Sequence, residues 1–355
     1  MPARFQANTL PLLIGSLPLQ DHGEALELVF NHTPEIPLWV QLPSFPQERM
    51  IPQFMPGLPG LILENDKVFI NTAAENFDDQ ILEFYEEYMA VADGEKDLDH
   101  TRFVLTTETA KGFTAFMVRS KSLSSPPVAV KGQITGPITF TTGVHDQNKN
   151  AIFYNEQIRD VAVKLIALKA KWQARQLSSL DCPVIIFFDE PALAGYGTSE
   201  FISISHDEIN VCFAEVMEAV QSEGALAGVH VCANTDWSLV LESPAEIVSF
   251  DAYSYFDRFI LYPDLIRKFI ESGKILAWGI VPTGNAEDIE KETTDSLVAL
   301  WDEKARAIEA LGIDRSRILA QSLITPSCGA GSLSLDLAKK VLRMTREVSE
   351  QVKRL

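Results

Sequence analysis

The sequence lacks the features that mark several large classes of protein. It has no run of about 18 apolar residues, so it predicts no helix that crosses a membrane. Basic residues are few, since 30 Lys and Arg stand against 49 Asp and Glu and give a formal net charge of −19. Nucleic acids and anionic membrane surfaces bind clustered Lys and Arg, so this balance argues against both as partners.

Cysteine is also sparse. Four Cys in 355 residues are ordinary usage for a reducing compartment and do not form a disulfide framework. The apolar stretch at 10–16 loosely resembles a signal peptide, but Pro11, Gly15 and Pro18 interrupt it and no small-residue cleavage site follows. We interpret it as a buried strand and expect a cytoplasmic protein.

The residues that are present indicate a globular α/β protein. Apolar residues make up 46% of the chain and charged residues 22%. Short runs rich in Val, Ile and Phe alternate with longer amphipathic stretches, and continuous apolar runs are typical of strands buried on both faces. The candidate strands are 10–16, 36–42, 128–134, 184–189, 225–232, 246–252, 274–281 and 318–324. The candidate helices are 76–92, 155–179, 206–222, 288–311 and 333–353.

Eight strands that alternate with helices predict a single (β/α)₈ TIM barrel over residues 1–355. The segment 43–127, between the second and third candidate strands, is far longer than one crossover and is predicted to be an elaborated insertion. It contains a loop rich in Pro, Met and Gly at 43–61. That loop is either a lid over a site, a docking surface or a plain surface loop.

Functional residues of such a barrel collect at the carboxyl ends of its strands. Polar or reactive residues follow most of the apolar runs directly, as this rule requires. They are Ser16, Thr135, Asp189, Glu190, His230, Cys232, Asp251 and Cys328. The sequence therefore predicts a site on one rim of the barrel.

Three of these residues suggest a metal site. On an extended strand, residues i and i+2 point to the same side, so His230 and Cys232 can share one ion. Cys328 follows the last strand and reaches the same rim. An imidazole with two thiolates is a zinc set that leaves a fourth position open, and sulfur ligands select zinc over magnesium or calcium. The alternative is that the three are ordinary core residues.

Asp189 and Glu190 follow a buried strand. Carboxylates in such a place are rarely buried without a partner, so we expect at least one of them to hold an amine or another cationic group of a ligand. The alternative is that they cap a helix or pair with a lysine.

Taken together, the motifs resemble the catalytic domain of the cobalamin-independent methionine synthases. These enzymes share a barrel superfamily with uroporphyrinogen decarboxylase and with the zinc methyltransferases that act on methylated corrinoids. The matching elements are Ile14-Gly15-Ser16, the TGPIT string at 135–139, the DEPAL string at 189–193, the His230-x-Cys232 pair and Cys328-Gly329. The longer string HVCANT at 230–235 is similar to the corrinoid methyltransferases.

The resemblance implies a role for each matched residue. His230, Cys232 and Cys328 would be zinc ligands, and Asp251, where the family has Glu, would be the fourth. The main chain near Ile14 and the side chain of Ser16 would hold the carboxylate of an amino-acid substrate. Its ammonium group would bind at Asp189 with Glu190. With Asp189, the three ligands His230, Cys232 and Cys328 would form the catalytic set.

The implied reaction is zinc-dependent transfer of a methyl group to homocysteine, which gives methionine. The aromatic residue that stacks the folate in the synthases has no evident counterpart after the TGPIT string. We therefore expect a methylated corrinoid, or a corrinoid protein, rather than a methyl-folate as the donor. Three alternatives stay open: a methyltransferase between corrinoid proteins and coenzyme thiols, a decarboxylase-like enzyme, and a zinc-holding protein that docks corrinoids without turnover.

Overall fold

The centre of the molecule is a curled parallel sheet. The computed structural model describes residues 5–64, 67–198, 201 and 203–355, and within these ranges six parallel strands pair in chain order. An antiparallel hairpin, β1 and β2, precedes them and forms a separate sheet. The strands are β1 (Leu61–Glu64), β2 (Lys67–Ile70), β3 (Val130–Thr135), β4 (Val184–Asp189), β5 (Leu226–Val231), β6 (Ile247–Phe250), β7 (Ile275–Val281) and β8 (Ser322–Pro326).

The six central strands were predicted from their apolar runs, and the structure confirms them with adjusted ends. They are buried along nearly their whole length, which is why most of their sequences are continuous apolar runs. The exception is β3, in which Lys131, Gln133 and Thr135 occupy alternate positions although the whole strand is buried. The strand predicted over 318–324 was wrong in its first half. Residues Arg315–Ala320 form a short helix instead, and the strand begins at Ser322.

The two remaining candidate strands, 10–16 and 36–42, form no continuous strand. They make isolated parallel bridges, Pro11 with Ile324, Ser16 with Gln41, and Leu38 with Lys131. Proline lacks the N–H that a ladder needs, so prolines within and beside both segments interrupt regular pairing. The bridges nevertheless link both edges of the parallel sheet, β8 and β3, to the N-terminal part of the chain.

Helices surround the sheet, as alternation of strands and helices requires. In the described part of the chain they are α1 (His22–His32), α2 (Phe77–Ala92), α3 (Lys111–Lys121), α4 (Pro137–Gly143), α5 (Glu156–Ser178), α6 (His206–Gln221), α7 (Ser238–Leu241), α8 (Ala252–Phe259), α9 (Pro263–Glu271), α10 (Ala286–Lys291), α11 (Thr294–Glu309), α12 (Arg315–Ala320) and α13 (Leu335–Val352). The single helix predicted over 288–311 is two helices, because Thr293 starts a new one with a capping box. None of the described helices combines the length and apolarity needed to cross a bilayer.

The segment 43–127 contains the hairpin, α2 and α3. Its large apolar side chains, such as Phe54, Phe84 and Phe116, are fully buried in the same apolar cluster as residues of the central strands. The segment therefore packs onto the sheet and contributes to its core.

Candidate metal and substrate site

Three potential metal ligands meet at the carboxyl ends of the strands. His230 lies on β5, Cys232 follows it directly, and Cys328 follows β8. One ligand atom from each side chain lies within 4.8 Å of the others. Tetrahedral zinc, with Zn–S near 2.3 Å and Zn–N near 2.0–2.1 Å, separates its ligand atoms by about 3.5–3.8 Å. Binding thus needs these atoms to approach one another by at most about 1 Å.

The surroundings of the His230 imidazole suit a metal ligand. Its Nδ1 lies 3.0 Å from the hydroxyl of Ser249 on β6, whereas its Nε2 is buried and has no hydrogen-bond partner among the described residues. A hydrogen bond at one ring nitrogen fixes the orientation and tautomer of a histidine ligand. The buried Nε2 without a partner is the observation that fits a metal ion to this site.

The two cysteines are electrostatically linked. A hydrogen bond from the Cys328 thiol lowers the pKa of Cys232, and the same contact raises the pKa of Cys328. The contact between the two side chains therefore favours deprotonation of Cys232 over that of Cys328. A deprotonated cysteine is the form that ligates metals.

Asp189 ends β4 beside these ligands, because the register places it next to His230 of β5. Its Oδ1 is buried and lacks a partner among the residues described. Burial raises the pKa of Asp189 to about 6, while the charges of Lys131 and His230 act to lower it. A buried carboxylate with a vacant oxygen is suited to bind a cationic group of a ligand.

Glu190 behaves differently from its neighbour. Its carboxylate accepts hydrogen bonds from the N–H groups of Ile138 and Thr139, at 2.9 and 2.8 Å, and from the hydroxyl of Thr139 at 2.7 Å. It thus caps the start of α4, and a Cβ on Gly136 would overlap it. Capping is the alternative that the sequence left open for Glu190. Asp189 is therefore the better candidate to bind a cationic group of a substrate.

Asp251 was expected to be the fourth metal ligand. Its side chain instead caps α8, where Oδ1 accepts from the N–H of Ser254 at 2.8 Å, and it lies outside the group of three ligands. Burial raises the pKa of Asp251 to about 6. Ligation by Asp251 therefore remains a proposal that requires its side chain to leave or share this cap.

A cavity of about 230 Å³ opens next to the three ligands. Most of the predicted site residues line it. These are Ile14, Ser16, Asp189, His230, Cys232 and Cys328. Ser16 accepts a hydrogen bond from the N–H of Gly331 at 3.3 Å, and a Cβ on Gly329 would overlap its hydroxyl. The loop that carries Cys328 is thus packed directly against the first N-terminal segment.

The other wall of the cavity consists of residues that were not predicted from the sequence. Gln41, Pro43, Glu48, Arg49 and Met50 also line it. Gln41 lies near the end of the second candidate strand and the other four residues follow it, so the strand-end rule that identified the other site residues contained the signal. The loop 43–61 therefore forms part of the cavity wall.

Long-range hydrogen bonds hold this loop in place. The carboxylate of Glu48 accepts from His22 at 2.8 Å and from the N–H of Leu42 at 3.1 Å. The hydroxyl of Thr135, at the end of β3, donates to the carbonyl of Met50 at 2.6 Å. The first part of the loop is therefore attached to both α1 and the central sheet.

Among the residues whose burial the structure describes, the side chains of two lysines are buried almost completely. Lys131 lies on β3, and burial lowers its pKa to about 8, although Asp189 acts to raise it. Lys169 lies on α5, and burial lowers its pKa to about 7. Lys131 was not singled out from the sequence, although a lysine inside an apolar strand is itself a signal, because a buried charge needs a reason.

Comparisons with known proteins give distant likenesses. No family model matches the chain, and no curated protein matches it. Among solved structures, a B12-independent methionine synthase from Shewanella sp. W3-18-1, in complex with selenomethionine, is 19% identical with a TM-score of 0.47, over 67% of each chain. ZgEngAGH5_4 in complex with a cellotriose is 12% identical with a TM-score of 0.30, over 66% of this chain and 87% of that one. A GH5-4 endoglucanase from Ruminococcus champanellensis is 10% identical with a TM-score of 0.28, over 70% and 89%. At these values none of the three identifies the family of this chain.

Proposed function

We propose that this chain is a zinc-dependent methyltransferase that transfers a methyl group to the thiol of homocysteine and so forms methionine. One observation carries the proposal: His230, Cys232 and Cys328 converge within 4.8 Å beside a cavity that Asp189 also lines, and Oδ1 of Asp189 has no hydrogen-bond partner among the described residues. This is a thiol-activating ligand set next to an anchor for an ammonium group. We further propose a single (β/α)₈ barrel over 1–355, in which the segments near 10–16 and 36–42 serve as strands one and two and 43–127 is the insertion.

The donor set fits zinc, and Asp251 is the proposed fourth ligand in the absence of substrate, at the position that the acceptor thiol would take. A zinc ion held by His230, Cys232 and Cys328 would lower the pKa of an acceptor thiol, near 8.5 when free, and present it as a thiolate at neutral pH. Ser249 orients His230 for this role through Nδ1.

The rest of the cavity orients the amino acid. The carboxylate of Asp189 accepts hydrogen bonds from the ammonium group of homocysteine, and Ser16 with the main chain near Ile14 holds its carboxylate. These groups and the three ligands line one cavity, so a substrate anchored at its amino-acid end directs its sulfur toward the ligands. Fixing the acceptor in this way removes much of the entropic cost of the transfer.

The size of the cavity limits how a methyl donor can approach the acceptor sulfur. Its volume of about 230 Å³ is below the roughly 300–1,000 Å³ of sites for drug-sized ligands. Once homocysteine fills it, a corrinoid has no room inside and reaches the sulfur from the mouth, beside the exposed side chains of Arg49 and Met50. We propose a methylated corrinoid or corrinoid protein as donor, with methyl-folate second. The S–C bond forms as the donor–methyl bond breaks, and the donor keeps that bond's electron pair.

The alternative functions require different groups in the cavity. A decarboxylase of tetrapyrroles needs several cationic partners for carboxylates, whereas Arg49 is the one Arg or Lys among the described lining residues. A coenzyme thiol without an ammonium group would leave Asp189 unpaired. A zinc-holding protein without turnover would bind homocysteine but form no methionine.

The test is an activity assay on protein of known metal content. The purified chain is analysed for zinc and incubated with homocysteine and methylcobalamin or, separately, a methyl-folate. We expect about one zinc per chain and methionine from methylcobalamin. The Asp189→Asn variant should keep its zinc but bind homocysteine about 10-fold or more weakly, because a hydrogen bond to a charged group is lost. Zinc-loaded protein that forms no methionine from either donor would contradict the proposal.

A further inference from the structure

The buried amine of Lys131 contacts Ile14, which lines the cavity, and has no role in the function proposed so far. Lys131 sits on β3, and its side chain is fully buried. Its ammonium group donates to the carbonyl oxygen of Ile14 and, at 3.2 Å, to Oε1 of Gln133. It also lies 4.6 Å from the centroid of the Phe187 ring, a cation–π distance. The three partners of this amine, Ile14, Gln133 and Phe187, are themselves buried.

These contacts join three parts of the chain at the amino-acid end of the cavity. Gln133, which accepts from Lys131, in turn donates from Nε2 to the carbonyl oxygen of Trp39 at 2.9 Å. The network thus links β3 to both N-terminal segments, which lack a continuous ladder of their own. Ile14 lies next to Gly15 and Ser16, and a Cβ on Gly15 would meet the Gln133 side chain at 3.0 Å. The position of the Ile14–Ser16 segment consequently depends on these polar groups.

The charge of Lys131 has one clear counterpart. No carboxylate of the described residues lies within 4 Å of its ammonium group, but Asp189 is near enough for each charge to act on the other. Asp189 and Lys131 together carry no net charge. A neutral pair of this kind suits a zwitterionic ligand better than a simple cation, because the bound state then carries no uncompensated buried charge.

We propose that Lys131 is a positioning residue that makes the site selective for an amino-acid thiol. It fixes the Ile14 carbonyl, and with it the segment that receives the substrate carboxylate, and it provides the counter-charge to Asp189. This inference rests on the proposed function, since it assumes that the acceptor is an α-amino acid. It adds the residue that distinguishes homocysteine from a thiol without the amino-acid group.

Lys169 offers a matched control. It is equally buried, but it lies on α5 and donates to the carbonyl oxygen of Val104 at 2.8 Å, away from the cavity lining. Lys131→Met and Lys169→Met each replace a buried amine with an apolar side chain of similar length. A general effect of losing a buried lysine would appear in both variants, and a site-specific effect in the first alone.

The experiment measures binding of two thiols by calorimetry on zinc-loaded protein. Homocysteine probes the whole site, whereas 3-mercaptopropan-1-ol probes the metal ligands alone. For Lys131→Met we expect homocysteine affinity to fall by about 10-fold or more, while affinity for the mercapto-alcohol stays within about 2-fold. Lys169→Met should change neither. Lys131→Gln, which keeps a donor but not the charge, should also lose homocysteine affinity and covers the case in which the Met variant does not fold.

The outcomes separate the two claims. If the unaltered protein binds the mercapto-alcohol but not homocysteine, the proposed function fails and this inference with it. If it binds homocysteine and both Lys131 variants bind it equally well, the inference alone is overturned. Equal losses in the Lys131 and Lys169 variants would also overturn it, because the effect would then be structural.

Discussion

The Cys328→Ser variant probes the three-ligand site most sharply, because it removes the one ligand supplied by a different part of the chain. Zinc sites of this kind bind with about 10–16 kcal/mol, so one of four ligands carries on the order of 3 kcal/mol. His230 and Cys232 remain in place on and after β5. We therefore expect zinc affinity to fall by about 100-fold or more.

The assay is competition with a chelator of known affinity, together with elemental analysis after dialysis. Cys182→Ser is the matched control, since Cys182 is also a free, partly buried cysteine but lies outside the ligand group. Denaturant unfolding of the metal-free proteins should give equal stability for Cys328→Ser and the parent chain, because Cys328 is not part of the apolar core. Zinc affinity of Cys328→Ser within a few-fold of the parent would refute the three-ligand site.

Three further predictions concern residues that support the site or the fold. Ser249→Ala should weaken zinc binding by about 10- to 100-fold in the same competition assay, because His230 loses the group that orients it. Glu190→Ala should lower the free energy of unfolding by about 2 kcal/mol in a urea titration, because the start of α4 loses its cap; a loss of homocysteine binding without destabilisation would instead assign Glu190 to the ligand. Burial lowers the pKa of Lys169 from 10.5, its ordinary value, to about 7 in the folded protein. Between these two pH values the unfolded chain binds one more proton than the folded protein, so the free energy of unfolding rises with pH. The rise attributable to Lys169 is at most about 1.4 kcal/mol per pH unit. Urea titrations at about pH 7.5 and about pH 9 should show this rise in the parent protein but not in Lys169→Met. An equal change of unfolding free energy with pH in both proteins would contradict the argument from burial.

The sequence was sufficient to predict the central strands because they are buried on both faces and most of them therefore read as apolar runs. In β3 the polar residues Lys131 and Gln133 interrupt the run, but the strand is buried like the others. It was also sufficient to find most of the site, because the strand-end rule needs only the order of the strands. Asp189, His230, Cys232 and Cys328 were placed by that rule, and the structure brings them to one cavity. Their roles in binding metal and substrate stay predictions.

Other features depend on contacts between distant residues, which local patterns do not report. Asp189 and Glu190 are neighbours in the sequence, but one faces the cavity and the other caps α4, a helix that begins some 50 positions earlier in the chain. The loop 43–61 forms a wall of the cavity because Thr135 holds Met50 and because Gln53 donates to the carbonyl oxygen of Thr109. These partners were identifiable only from the structure.

The central claim is that an acceptor thiol joins His230, Cys232 and Cys328 around one zinc ion. X-ray absorption at the zinc edge tests it directly by counting sulfur neighbours near 2.3 Å, with and without homocysteine. The account predicts about two sulfur ligands in the zinc-loaded protein and about three after homocysteine is added. A sulfur count that does not change on adding saturating homocysteine would contradict it.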